Sequence, residues 1–168
     1  MTRIFIADVS CIDIEASLGK VSPARREKTL RLSKDDDKRR SLGAEMLLIK
    51  AAGRDDYVLS KNEKPYFPDN EVFFSLAHCG DYAVCAVSDV PVGVDIELPR
   101  AGGARLAKRF FQPDEAALVY AADDPDREFC RLWTLKESYI KCADLRLGNI
   151  RSLSLIHISE PTRPEPIS

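Results

Sequence analysis

No two cysteines in this chain are spaced CxxC, and the five present, at 11, 79, 85, 130 and 142, are odd in number. That disfavours a disulfide framework or a structural zinc site and fits a reducing compartment. Histidine is scarce: His78 and His157 lie far apart and make no metal motif. No window approaches the roughly 18 uninterrupted apolar residues that a transmembrane helix needs. The first apolar stretch, "IFIADV", is too short for a signal peptide and is followed at once by polar residues. A cytoplasmic protein with no membrane partner is expected. A glycine-rich loop of the GxxxxGK form is also missing, which counts against another kind of nucleotide-binding or phosphoryl-transfer protein. The formal net charge is only −2, so broad nucleic-acid binding is not expected. No internal repeat is evident.

What is present reads as a globular protein. With 168 residues, 45% hydrophobic and 31% charged, the chain suits one ordinary domain or two small halves around a shared core. Positive charge is concentrated between residues 20 and 40, in Lys20, Arg25, Arg26, Lys28, Arg31, Lys34, Lys38, Arg39 and Arg40. On a mildly acidic protein this suggests a small polyanion more than a duplex, although "KDDDKRR" also suits a solvated helix face.

Along the chain, "RIFIADV" (3–9) reads as an opening strand. Ser22-Pro23 starts a helix, serine capping it and proline at the first position, running to about Leu32. Ser33 is expected to cap a second helix whose Asp35, Asp36 and Asp37 face its positive end, with Gly53 as its stop. Three strands follow in close succession: "VFFSLA" (72–77), "YAVCAV" (82–87) and "PVGVDIE" (91–97), joined as an antiparallel meander. "ARLAKRFF" and "PDEAALVYAA" are short helices. A longer one over 126–142 places Phe129, Leu132, Trp133, Lys136 and Ile140 on one stripe. The final stretch, "SLSLIHISEPTRPEPIS", has no periodicity and resembles a frame-shifted end, so residues 151–168 are expected to lie outside the native fold.

Chemistry concentrates in two places. On an extended 92–97, Val92, Val94 and Ile96 share one face and Gly93, Asp95 and Glu97 the other. Two carboxylates rooted about 7 Å apart over a glycine repel each other unless a cation joins them. A hard divalent ion with oxygen ligands would do so; a water-facing strand edge is the simpler alternative. In "LWTLKESYIK", Glu137 and Lys141 stand four apart on one flank, the spacing of an ordinary surface ion pair worth a few tenths of a kcal/mol. Lys136 lies inside the apolar stripe, where its ammonium must snorkel to an edge or meet an anion. His78 opens the tight "HCGD" turn, from which a side chain can reach a cleft.

The combination "FSLAHCGDYAV", "VGVDIE", "FFQPDE" and "WTLKESYIK", in this order, resembles the 4′-phosphopantetheinyl transferases, most nearly the surfactin-synthetase-activating type, from about Ser22 to Lys141. The resemblance implies an α+β fold, a pseudo-dimer of two α+β halves with coenzyme A bound between them. Here it implies an N-terminal half over 1–100 and a partial C-terminal half over 101–150, in a cytoplasmic monomer. It implies transfer of the phosphopantetheine arm of coenzyme A to a serine of an acyl or peptidyl carrier protein, releasing adenosine 3′,5′-bisphosphate. Asp95, Glu97 and Glu137 would hold Mg²⁺, Glu137 or a metal-bound water it orients would take the serine proton, and Lys141 would stabilise or protonate the leaving phosphate. Arg25, Lys28, Arg40, Lys64, His78 and Lys136 would contact the coenzyme. Departures stand beside this: the family's Asn-x-Ser-His reads Ser75-Leu76-Ala77-His78, Glu63 replaces a glycine before Lys64-Pro65, and "CADLRLGN" replaces a glycine-rich stretch. The strands expected after that stretch are missing, so the second half is expected to be incomplete. The side of Trp133 and Ile140 should then be exposed, at about 25 cal/mol per Å². An inactive remnant that binds coenzyme A or a carrier protein is the alternative reading.

Overall fold

The computed structural model describes residues 1–155. Strand β1 (Arg3–Asp8), the short helix α1 (Ile14–Ser17), and helices α2 (Pro23–Leu30) and α3 (Asp35–Ala52) come first. The small pair β2 (Val58–Leu59) and β3 (Pro65–Tyr66) leads to the long hairpin β4 (Phe73–Cys79) and β5 (Tyr82–Ser88). Three α-helices follow, α4 (Ala107–Phe110), α5 (Pro113–Ala121) and α6 (Pro125–Cys142), with single 3-10 turns at Gly103–Leu106 and Leu147–Asn149.

Local chemistry explains the boundaries. The Ser22 hydroxyl accepts from the Arg25 N–H at 3.2 Å and Pro23 occupies the first turn of α2, as its sequence predicts. Helix α3 begins one residue later than expected, with Lys34 at its cap; its first turn carries Asp35, Asp36 and Asp37 against the helix dipole. It ends at Gly53, whose φ of 76° lets its N–H reach the Ile49 carbonyl at 2.8 Å.

β5 lies between β1 and β4 in an all-antiparallel sheet. A central strand has both faces to cover, and Ala83 through Ser88 are all buried. One face packs Ala83, Cys85, Val87 and Phe74 with Ala44, Leu47 and Leu48 of α3 and with Phe67. Each fully buried leucine or phenylalanine contributes about 1.5–3 kcal/mol.

The expected third strand is not made. Residues 91–97 form no ladder. Pro91 has no N–H to give, and the Val94 N–H donates instead to the Ser75 hydroxyl on β4 at 3.1 Å. The stretch crosses from the sheet to α6, where Gly93 lies against the backbone of Ser138 and Cys142. Its alternation nonetheless survives, because Gly93 and Asp95 both meet α6.

A second cluster takes no strand residue: Ala104, Ala107, Phe111, Ala116, Val119, Phe129 and Leu132, with Phe110, Trp133 and Leu155 against it. Phe111 stacks on Phe129 at 5.0 Å and Phe129 on Trp133 at 5.8 Å. Ile140 and Trp133 are therefore not left bare; Ile140 is buried and Trp133 half-buried. Residues 151–155, expected to lie outside the fold, take part in it. Leu155 packs on this cluster, and the Gln112 amide donates to the Arg151 carbonyl at 2.6 Å. The remainder of that stretch, residues 156–168, lies outside the described residues.

Candidate active site

Helix α6 and the 93–97 stretch face each other, and their side chains make the site. Lys141 extends from α6 and its Nζ donates to Asp95 Oδ1 at 2.6 Å. The Asp95 side chain is only 5% exposed, and its second oxygen, Oδ2, is buried without a hydrogen-bond partner. The surface pair between Glu137 and Lys141 that their spacing suggests does not form, because Asp95 takes the ammonium. Glu97 accepts from the Cys79 thiol at 3.4 Å across the hairpin end. Burial pushes the Glu137 carboxyl up, and the charges of Asp95 and Glu97 push it further, while Lys141 and the Trp133 indole oppose them. The three expected carboxylates thus share one electrostatic neighbourhood.

No three His, Cys, Asp or Glu side chains among the described residues already stand as a coordination cage. Asp95 is turned to Lys141 and Glu97 to Cys79, which accounts for this. The donor set itself fits a hard divalent cation: all three side chains are carboxylates, Glu137 feels the negative charges of the other two, and Asp95 has an orphaned buried oxygen.

Beside the acids lies a cationic patch. His78 sits near the end of β4, opposite Ala83, and partial burial lowers its pKa below the ordinary imidazole value. The positive charges of Arg40, Lys141 and Arg25 lower it further. Arg40 is oriented by Asp37, at 2.6 Å, and by the Gly80 carbonyl, at 3.0 Å. Arg25 is a strut between α2 and α3: its Nε donates to the buried Glu45 at 2.6 Å and its terminal nitrogen to the Tyr57 hydroxyl at 3.0 Å. Against the burial that would raise it, bonds from Ser22 and Arg25 hold the Glu45 carboxyl below its usual range. Lys28 is exposed on α2. Lys64 donates to the Cys142 carbonyl at 3.0 Å, at the negative end of α6. A cleft of about 210 Å³ is lined by Lys64 and Lys141 together with Ser75, Leu76 and Ile140.

Lys136 does not join this site. Its side chain is fully buried on the other side of α6, paired with Glu115 of α5 at 2.5 Å. It also donates to the Ile150 carbonyl at 3.2 Å and the Leu153 carbonyl at 2.6 Å. The ammonium inside the apolar stripe meets an anion, and its three protons are spent there, so the expected coenzyme contact is replaced by an internal one. Glu115 completes the node by accepting from the Leu155 N–H at 2.8 Å. Its partnership was hidden in the sequence, where only a lysine on an apolar stripe and an acid in "FFQPDE" signalled it.

The model of the 4′-phosphopantetheinyl transferase superfamily matches residues 91–168. The chain belongs to this superfamily. A 4′-phosphopantetheinyl transferase of Bacillus subtilis is 37% identical over 138 residues, 75% of this chain and 61% of the relative. The 4′-phosphopantetheinyl transferase Sfp of Bacillus subtilis strain 168 is 32% identical over 76% of this chain and 62% of the relative. The transferase gsp of Aneurinibacillus migulanus is 34% identical over 72% and 55%. The chain spans about three fifths of the length of the first two relatives.

Proposed function

We propose that this chain transfers the 4′-phosphopantetheine arm of coenzyme A to a serine of an acyl or peptidyl carrier protein, releasing adenosine 3′,5′-bisphosphate. One observation supports the reading: the Asp95–Lys141 pair stands by Glu137, whose carboxyl feels the charges of Asp95 and Glu97, and Lys141 also acts on His78 of the His78–Arg40 patch. Asp95, Glu97 and Glu137 would hold Mg²⁺, which when bound supplies Lewis-acid neutralisation of the pyrophosphate charge. Arg40, His78, Lys64 and Lys28 bind and orient the coenzyme phosphates through charge-assisted bonds. Arg25 supports that surface through Glu45. Glu137, half-buried, takes the proton of the carrier serine as its oxygen bonds to phosphorus. The P–O bond to the adenosine bisphosphate breaks, and Lys141 stabilises the departing phosphate. In this reading the protein is a cytoplasmic monomer; among the described residues no helix is long and apolar enough to cross a membrane.

A second reading, coenzyme or carrier binding without transfer, is favoured by the three-fifths coverage of the first two relatives. The mass of an apo carrier protein after incubation with this chain, coenzyme A and Mg²⁺ separates the two. A gain of one phosphopantetheine arm that EDTA abolishes is expected. No gain, with coenzyme A still raising the melting temperature, leaves the binding reading in its place.

A further inference from the structure

We infer that Lys141 is the internal counter-ion of the cation site, holding Asp95 until a divalent ion arrives and competing with that ion for the same carboxylate. This deepens the reading of Asp95, Glu97 and Glu137 as ligands of one cation and rests on it. The ammonium stands 2.6 Å from Asp95 Oδ1. The two partners differ in exposure: Asp95 is 5% exposed and Lys141 29%, so the lysine leads from solvent into the carboxylate. A buried aspartate in a neighbourhood of two further acids needs a positive charge, and Lys141 is the cation paired with it. Oδ2 has no partner, so the lysine satisfies only half of the group. A divalent ion offers more charge and can engage both oxygens, which displaces the ammonium. The four-carbon stem of lysine allows that movement by rotamer changes alone. The released ammonium is then free to pair with an anionic group. One event thereby loads the cation and frees the group that meets the leaving phosphate.

The test is Mn²⁺ binding at pH 8, followed by the electron paramagnetic resonance of free Mn²⁺, with no coenzyme or carrier present. Lys141→Met is expected to bind Mn²⁺ on the order of tenfold more tightly than the unaltered chain, because a competing charge contact has gone. Equal or weaker binding by the variant overturns the inference while leaving the cation site intact. Failure of both proteins to bind Mn²⁺ overturns the cation site itself and the inference with it. Should the variant not fold, the ¹⁵N-labelled ammonium of Lys141 in the unaltered chain reports directly. Its signal is expected to be protected in metal-free protein and lost at saturating Mg²⁺; a signal that Mg²⁺ leaves unchanged overturns the inference.

Discussion

Replacing Gly93 by alanine tests how the site is assembled. A Cβ at this position would stand 2.6 Å from the backbone nitrogen of Cys142 and closer still to the Ser138 carbonyl oxygen. Ordinary contact begins near 3.4 Å. Both neighbours are backbone inside α6 and cannot rotate away, so the 93–97 stretch must retreat by roughly an ångström. Overpacking of this kind costs about 1–3 kcal/mol, which for a domain of this size lowers the melting temperature by about 2–4 °C per kcal/mol. The functional loss should be larger. Asp95 and Glu97 sit two and four residues along, and an ångström of misplacement at a reacting centre costs on the order of 10²-fold in rate. Urea denaturation, Mn²⁺ binding and phosphopantetheine transfer should be measured on the same preparation. Unchanged stability together with unchanged Mn²⁺ affinity would refute the claim that the close approach of Gly93 to α6 positions the acids.

Lys136→Met should cost about 3–5 kcal/mol in urea unfolding, because Glu115 would be left buried and unpaired. The double variant Lys136→Met, Glu115→Leu should regain much of that loss, and a double variant no more stable than the single one would disprove the pairing. Glu137→Gln should abolish transfer with folding nearly unchanged. Since the folded pKa of Glu137 lies above its usual 4.5, its contribution to stability is full below that pH and is lost as pH rises through the folded value. The variant should therefore gain on the unaltered chain as pH rises above 4.5, and thermal melts showing a constant difference would contradict this. His78 should titrate below its usual 6.5 in the free protein, and adenosine 3′,5′-bisphosphate should raise that pKa by bringing anionic charge among Arg40, Lys141 and Arg25. An imidazole titration by NMR that the bisphosphate leaves in place would argue against a phosphate-binding role.

Much of the architecture was legible because it rests on short-range chemistry. Ser22-Pro23 starts α2, Gly53 ends α3, and the short "HCGD" connection between two apolar runs produces the β4–β5 hairpin. The alternation of 92–97 also told correctly that Gly93 and Asp95 look one way, although it suggested a strand. Whether an extended stretch joins a ladder depends on what lies beside it, and there the Ser75 hydroxyl took the Val94 N–H. The stripe of α6 located Lys136 but could not show its partner, since Glu115 approaches from another helix. Likewise, the spacing of Glu137 and Lys141 suits a local pair, but Asp95, 46 residues away in sequence, is the partner that Lys141 finds. The sequence by itself determined the helices, the hairpin and the residues that carry charge, because propensity, capping and periodicity act over a few neighbours. Only the tertiary structure decided which charges meet, because a buried ion takes the nearest opposite charge in space, and that distance is set by packing of elements remote along the chain.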